Sequence, residues 1–216
     1  MDGDIIYKVA TWILPILLAI TLHEYAHGWA ASKLGDNTAK MLGRLTINPI
    51  KHIDPIGTLL IPALLLLVSA PFLFGYAKPI PVNAKNLKDP RKDMALVAIA
   101  GPLANLAMAF MWGMIILLGM NFSDPAIAKG IVQMSYNGIL INVVLMVLNL
   151  LPLPPLDGGR VLAGIVPRNM ANMLDKIEPY GFFILIGLLM IGALDYILSP
   201  FISPITGFIL SIFIGA

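Results

Sequence analysis

The chain has 216 residues, of which 58% are hydrophobic and only 12% charged, and its mean hydropathy is +0.87. Soluble domains carry about 25% charged residues, so an ordinary water-soluble fold is excluded. A formal net charge of +2, with no basic helix or aromatic stacking platform, argues against a nucleic-acid partner, and the absence of cysteine removes disulfides, iron–sulfur clusters and thiolate metal sites.

The few charges are segregated. Residues 9–22, 55–77, 94–123, 130–156, 179–194 and 196–216 contain no Asp, Glu, Lys, Arg or His. Several of these runs reach the roughly 20 residues needed to cross a hydrocarbon core as a helix. They are too long and too weakly alternating for barrel strands of about ten residues. The 17 prolines and 19 glycines sit among Leu, Ile and Ala, where spanning helices tolerate them. The pattern predicts an all-α, polytopic membrane protein with about five spans, built as one domain over 1–216.

In chain order, residues 5–32 read as a first helix, apolar to Leu22 and abruptly polar at His23, Glu24 and His27, with Gly35 as its stop signal. Asp2 and Asp4 stand where a cleaved signal peptide carries basic residues, so this helix is expected to be retained. Residues 40–55 mix β-branched residues, prolines and charges and predict a loop with a short extended piece. The run 55–77 is interrupted by Pro62 and Pro71. A connector, 78–93, follows with Lys78, Lys85, Lys88, Arg91 and Lys92 against Asp89 and Asp93. Residues 94–120 and 130–151 read as spans, 158–178 as a mixed interfacial stretch, and 179–216 as a terminal hairpin folded at Ser199-Pro200. The chemistry is expected in a core of about 5–165, so that removal of 179–216 would spare it.

Ionisable side chains inside apolar helices are costly and mark function by default. Two of the three histidines fall in His23-Glu24-Tyr25-Ala26-His27, an HExxH sequence. Positions i and i+4 lie on one helix face about 6 Å apart along the axis, close enough for two imidazoles to grip one zinc ion. Glu24 can then reach a zinc-activated water as general base without being a ligand. Catalytic zinc takes three protein ligands, so a third donor is required from elsewhere. Asp157 is the leading candidate, because it follows a long uncharged run within Pro152-Leu153-Pro154-Pro155-Leu156-Asp157-Gly158-Gly159, where prolines break the helix and glycines let the backbone turn. His52 competes for the same role.

HExxH paired with a distant Leu156-Asp157-Gly158-Gly159 resembles the site-2 protease family of intramembrane zinc metalloproteases. Further stretches are similar to its short prokaryotic members: Gly43-Arg44-Leu45-Thr46, Asn48-Pro49, His52 to Thr58, and Gly101-Pro102-Leu103-Ala104-Asn105. The resemblance covers about residues 10–165. It implies one Zn²⁺ per chain held by His23, His27 and Asp157, with Glu24 as catalytic acid/base and Asn149 positioning the substrate or polarising its carbonyl. The implied partner is a transmembrane helix of another membrane protein, met within the bilayer. The chain has room for neither the PDZ domain nor the CBS pair of longer members.

Topology adds a constraint. Lys33, Lys40, Arg44 and Lys51 follow the first helix and place its HExxH end on the cytoplasmic side of the plasma membrane. If 55–77, 94–120 and 130–151 all crossed, Asp157 would emerge opposite the histidines. The run 55–77 is therefore expected to be re-entrant. A substrate helix must unwind before hydrolysis, and an extended piece within 43–53 or 79–84 could pair with it as a short strand near the cytoplasmic face. A transporter or channel with a buried His/Glu/Asp ion site, a scaffold with structural zinc, and an HExxH protease using His52 or Glu178 remain as alternatives.

Overall fold

The computed structural model describes residues 2–67 and 75–215. The elements are α1 (Asp2–Lys33), α2 (Thr38–Met41), a 3₁₀ turn (Pro49–His52), a π turn (Pro55–Leu60) leading into α3 (Ile61–Leu67), a 3₁₀ turn (Ala84–Asn86), α4 (Pro90–Met120), α5 (Pro125–Asn149), α6 (Asp157–Ile165), α7 (Arg168–Met190) and α8 (Ala193–Ile214). Local chemistry sets the boundaries. Asp89 caps α4 by accepting from Lys92 N, and Asp124 caps α5 by accepting from Ala126 N and Ile127 N. A proline fills the first helical position in both, where its missing N–H costs nothing.

Four helices are long and apolar enough to cross a membrane: α1 from Ile6, α4, α5 and α8. The fifth expected span is absent from that set, because α7 carries Arg168, Asp175, Lys176 and Glu178 in its first half. The terminal hairpin also folds elsewhere than expected. It turns at Ile191-Gly192, where Gly192 takes φ +71°, while Pro200 lies inside α8 together with Pro204. Glycine supplies the left-handed residue that ends a helix, and spanning helices absorb internal prolines through neighbouring contacts. No strand occurs among the described residues. Residues 43–53 form bends and a 3₁₀ turn, and 75–83 run irregularly with isolated backbone bonds and no strand ladder, so the expected short strands are corrected to irregular backbone.

Helices α1, α4 and α5 form the centre of the molecule, and their contacts fix their directions. Tyr7 Oη donates to Lys129 O (3.4 Å) and Asn137 Nδ2 to Thr11 O (3.3 Å). Asn105 Nδ2 donates both to Ala19 O (3.2 Å) and to Asn142 Oδ1 (2.9 Å), and His27 Nδ1 meets Val97 O at 2.8 Å. Numbers rise together on α1 and α5 and fall on α4, so α4 runs antiparallel to the other two. The apolar core joins Ala109, Trp112 and Ile116 of α4 to Ile139 and Val143 of α5, with Leu185 of α7 and Leu198 and Ile209 of α8 packed on them.

The end of α1 and the start of α4 therefore lie on one face, and the intervening chain closes back on itself. Tyr76 N donates to Gly57 O (3.1 Å), Thr58 Oγ1 to Tyr76 O (2.8 Å) and Lys78 N to His52 O (2.9 Å). Residues 68–74, including Pro71, lie outside the described residues. The helical stretch Pro55–Leu67 rises only about 20 Å at 1.5 Å per residue, short of a ~30 Å hydrocarbon core. The described ends of the 55–77 run, Gly57 and Tyr76, therefore lie side by side, as the ends of a re-entrant element would. Single cysteines introduced as Lys85→Cys and Asn121→Cys are expected to react with a membrane-impermeant reagent from opposite sides. Labelling of both from the same side would overturn this path.

Candidate metal centre

Three elements converge on the HExxH turn. His23 and His27 are buried on α1, and Asp157 is buried at the first position of α6, behind the proline-rich turn that ends α5. His23 Nε2 and His27 Nε2 are 3.0 Å apart, and Asp157 Oδ2 stands 3.1 and 3.3 Å from them. Among the described residues this trio is the group able to hold a metal ion. His52 does not join it: its Nε2 faces Thr46 O at 2.8 Å and it serves the loop.

The outer contacts show what these donor atoms need. His27 Nδ1 faces the Val97 carbonyl, an obligate acceptor, so that nitrogen carries the proton and Nε2 presents a lone pair. His23 Nδ1 lies 2.5 Å from Asn105 Oδ1 and is protonated for the same reason. Two lone pairs and a carboxylate thus face one another in a buried site, and Asp157 Oδ2 has no hydrogen-bond donor. Three acceptors at this spacing repel unless a cation sits among them. Two donors each about 2.0–2.1 Å from a tetrahedral zinc lie about 3.3 Å apart, which matches the observed triangle. The residues present fit a zinc ion.

Close backbone approaches hold this arrangement. Gly101 of α4 lies against both imidazoles, and any Cβ there would enter the His23 and His27 rings. Gly158 and Gly159 lie against the backbone of Leu150–Pro154, allowing the turn to fold under Asp157. Gly181 of α7 abuts the Pro154 carbonyl so closely that a methyl group would collide with it. Through Gly181 the terminal hairpin packs against the turn that carries Asp157.

Glu24 lies beside the trio, and its Oε2 accepts from Ile80 N at 2.7 Å. The segment delivering that amide is a strap across the site. Arg44 donates to the carbonyls of Lys78 and Pro79, and Asn83 N donates to Asp36 Oδ2. Asp36 is itself fully buried. Burial pushes its carboxyl up, but bonds from the Thr38 and Asn86 side chains and from the Asn83 and Thr38 backbones outweigh it and hold the group below the usual range. Asn149 lines a cavity of about 230 Å³ together with His23, Glu24, His27, Ile80 and Asp157. A second cavity of about 650 Å³ adjoins it across Ile80, Met94 and Arg160, walled by α6 and α7.

Sequence reading named every member of this cluster except its supports. Asn105 was noted only as part of a motif, and Val97, Ile80 and Gly181 carry no local signal, since their partners lie 27 to 82 residues away along the chain.

The geometry agrees with what comparison with known proteins finds. The family profile described as "Peptidase family M50" matches residues 113–192. YwhC of Bacillus subtilis, which bears a zinc metalloprotease name, is 41% identical over 99% of this chain and 96% of its own length. The chain belongs to peptidase family M50, the site-2 proteases. As a member it is a zinc metalloendopeptidase built into a multi-pass helical membrane protein. Rip2 of Mycolicibacterium smegmatis, with the same kind of name, is 32% identical over 89% of this chain and 70% of its own. The Regulator of sigma E protease of Haemophilus influenzae is 30% identical over 56% of this M50 chain and 29% of its own length. No solved structure gives a significant match. The transporter reading finds no support in these relatives.

Proposed function

We propose that this M50 peptidase cuts a peptide bond in or near a transmembrane segment of another membrane protein, close to the cytoplasmic face of the plasma membrane, in the manner of regulated intramembrane proteolysis. The observation that carries this reading is the convergence of His23 Nε2, His27 Nε2 and Asp157 Oδ2, with Glu24 adjoining them. These three side chains would hold the metal. Zinc bound there supplies Lewis-acid activation of a water molecule and of the scissile carbonyl. Glu24 takes the proton from the attacking water and delivers it to the leaving amine, while its second oxygen stays on the Ile80 amide. Asn149 stands on the cavity wall and orients the substrate backbone by hydrogen bonding. Pro155 of the turn and Pro79, Ile80 and Val82 of the strap wall the cavity beside the three donors.

The cytoplasmic assignment follows from charge. Lys40, Arg44, Lys51, Lys78, Lys85 and Lys88 all belong to the chain between α1 and α4, on the face where the metal donors lie. The substrate is a transmembrane helix that unwinds to enter the smaller cavity, with its polar flank in the larger one. The Regulator of sigma E protease among the relatives suggests membrane-bound regulators as the substrate class. The deciding experiment reconstitutes the purified chain in proteoliposomes with single-span peptides. Cleavage within or beside the span, abolished by a zinc chelator and restored by zinc, is expected. Cleavage that survives chelation would defeat the proposal.

A further inference from the structure

Asn105 sits in the middle of α4, fully buried, and does not line the catalytic cavity. An amide at that depth is costly unless its groups are bonded, and here every bond has a fixed direction. The Gly138 carbonyl can only accept, so Asn142 Nδ2 donates to it (2.8 Å) and turns Asn142 Oδ1 toward Asn105. Asn105 Nδ2 then donates to that oxygen and to the Ala19 carbonyl, which leaves Asn105 Oδ1 facing His23 Nδ1 at 2.5 Å. Two backbone carbonyls on α5 and α1 thereby dictate, through two asparagines, which nitrogen of His23 bears its proton.

We propose that Asn105, oriented by Asn142, is a positioning residue that locks His23 in the tautomer whose Nε2 is open to the metal. The proposal rests on reading His23, His27 and Asp157 as the ligand set. It assigns the Asn105 oxygen a task distinct from tying α1, α4 and α5 together, which the amide nitrogen performs. Outer-shell partners of this kind change metal affinity by about 10–100-fold. Asn105→Asp separates the two tasks, since it keeps the acceptor for His23 and loses the donors to Ala19 and Asn142.

The test is zinc affinity of the full-length chain in detergent, measured by competition with a chelating dye, beside thermal unfolding. Asn105→Leu is expected to raise the zinc dissociation constant by about 10–100-fold. Asn105→Asp is expected to bind zinc at least about tenfold more tightly than Asn105→Leu, while unfolding at a lower temperature than wild type. Wild-type zinc affinity in Asn105→Leu, or zinc binding by Asn105→Asp no tighter than by Asn105→Leu, overturns the proposal. Should the leucine variant fail to fold, Asn142→Leu takes its place. It leaves Asn105 unanchored and must weaken zinc binding, and unchanged affinity overturns the proposal. His23→Ala runs in parallel: if it retains wild-type zinc affinity, the ligand assignment itself fails, and if it loses zinc, any failure belongs to Asn105 alone.

Discussion

Glu24→Gln is expected to keep zinc content at the wild-type level while lowering cleavage of a membrane peptide by about 10²–10⁴-fold, the range that general acid–base groups contribute. The substitution is isosteric. Its amide oxygen can still accept from the Ile80 N–H that holds the glutamate at 2.7 Å, so the strap and the cavity wall are preserved. What disappears is the ability to take up and release a proton. Because Glu24 is not among the three converging donors, the metal should remain. Zinc analysis of purified protein, beside single-turnover cleavage in proteoliposomes, separates the two quantities. Near-normal turnover in the glutamine variant would remove Glu24 from the mechanism, and parallel loss of zinc would make it a ligand.

Asp157→Asn is expected to weaken zinc binding by at least about 100-fold, beyond the 10–100-fold that outer-shell changes cost, and to abolish cleavage with it. The carboxylate is the one formal negative charge among the three donors, and its Oδ2 is buried without a hydrogen-bond donor. A neutral amide there removes the charge that balances the cation. Gly181→Ala should produce a milder version of the same phenotype, about 10-fold or more in zinc affinity. The added methyl collides with the Pro154 carbonyl and displaces the turn that carries Asp157. Calorimetric zinc titration of both variants checks the pair. Wild-type affinity in Gly181→Ala would mean that the turn holds its shape without α7.

The fold was legible where the sequence imposes a long-range rule on composition. Uncharged runs over 94–120 and 130–151 became α4 and α5 because nothing in lipid satisfies a backbone except its own helix. That the two ends of 55–77 meet was legible by a different route: two motifs that must share a metal cannot sit on opposite faces. The hairpin turn was misplaced because Pro200 looked like a breaker, whereas the chain actually turns at Gly192, whose φ of +71° has no sequence signature apart from glycine itself. The same division applies to the site. His23 and His27 announce themselves by a helical repeat, and Asp157 by being a lone charge after 27 uncharged residues, 130–156. Asn105, Val97, Ile80 and Gly181 act through contacts between elements, which no local spacing encodes.

The pairing of Gly57 with Tyr76 and of His52 with Lys78 bears on how the molecule enters the bilayer during its synthesis. Since the excursion begins and ends at one level, neither the loop bearing Lys40, Arg44 and Lys51 nor the connector bearing Lys78, Lys85 and Lys88 has to be carried through hydrocarbon. Translocating even one such cation past the bilayer centre costs at least about 2.5 kcal/mol. Between α1 and α5, the part that lies on the far side is the short link 121–124 with Asp124 and the first turn of α5 with Lys129. Of the basic groups between α1 and α5, Lys129 alone goes to the far side, and the histidines and the aspartate reach a common depth while both lysine-rich connectors stay where they began.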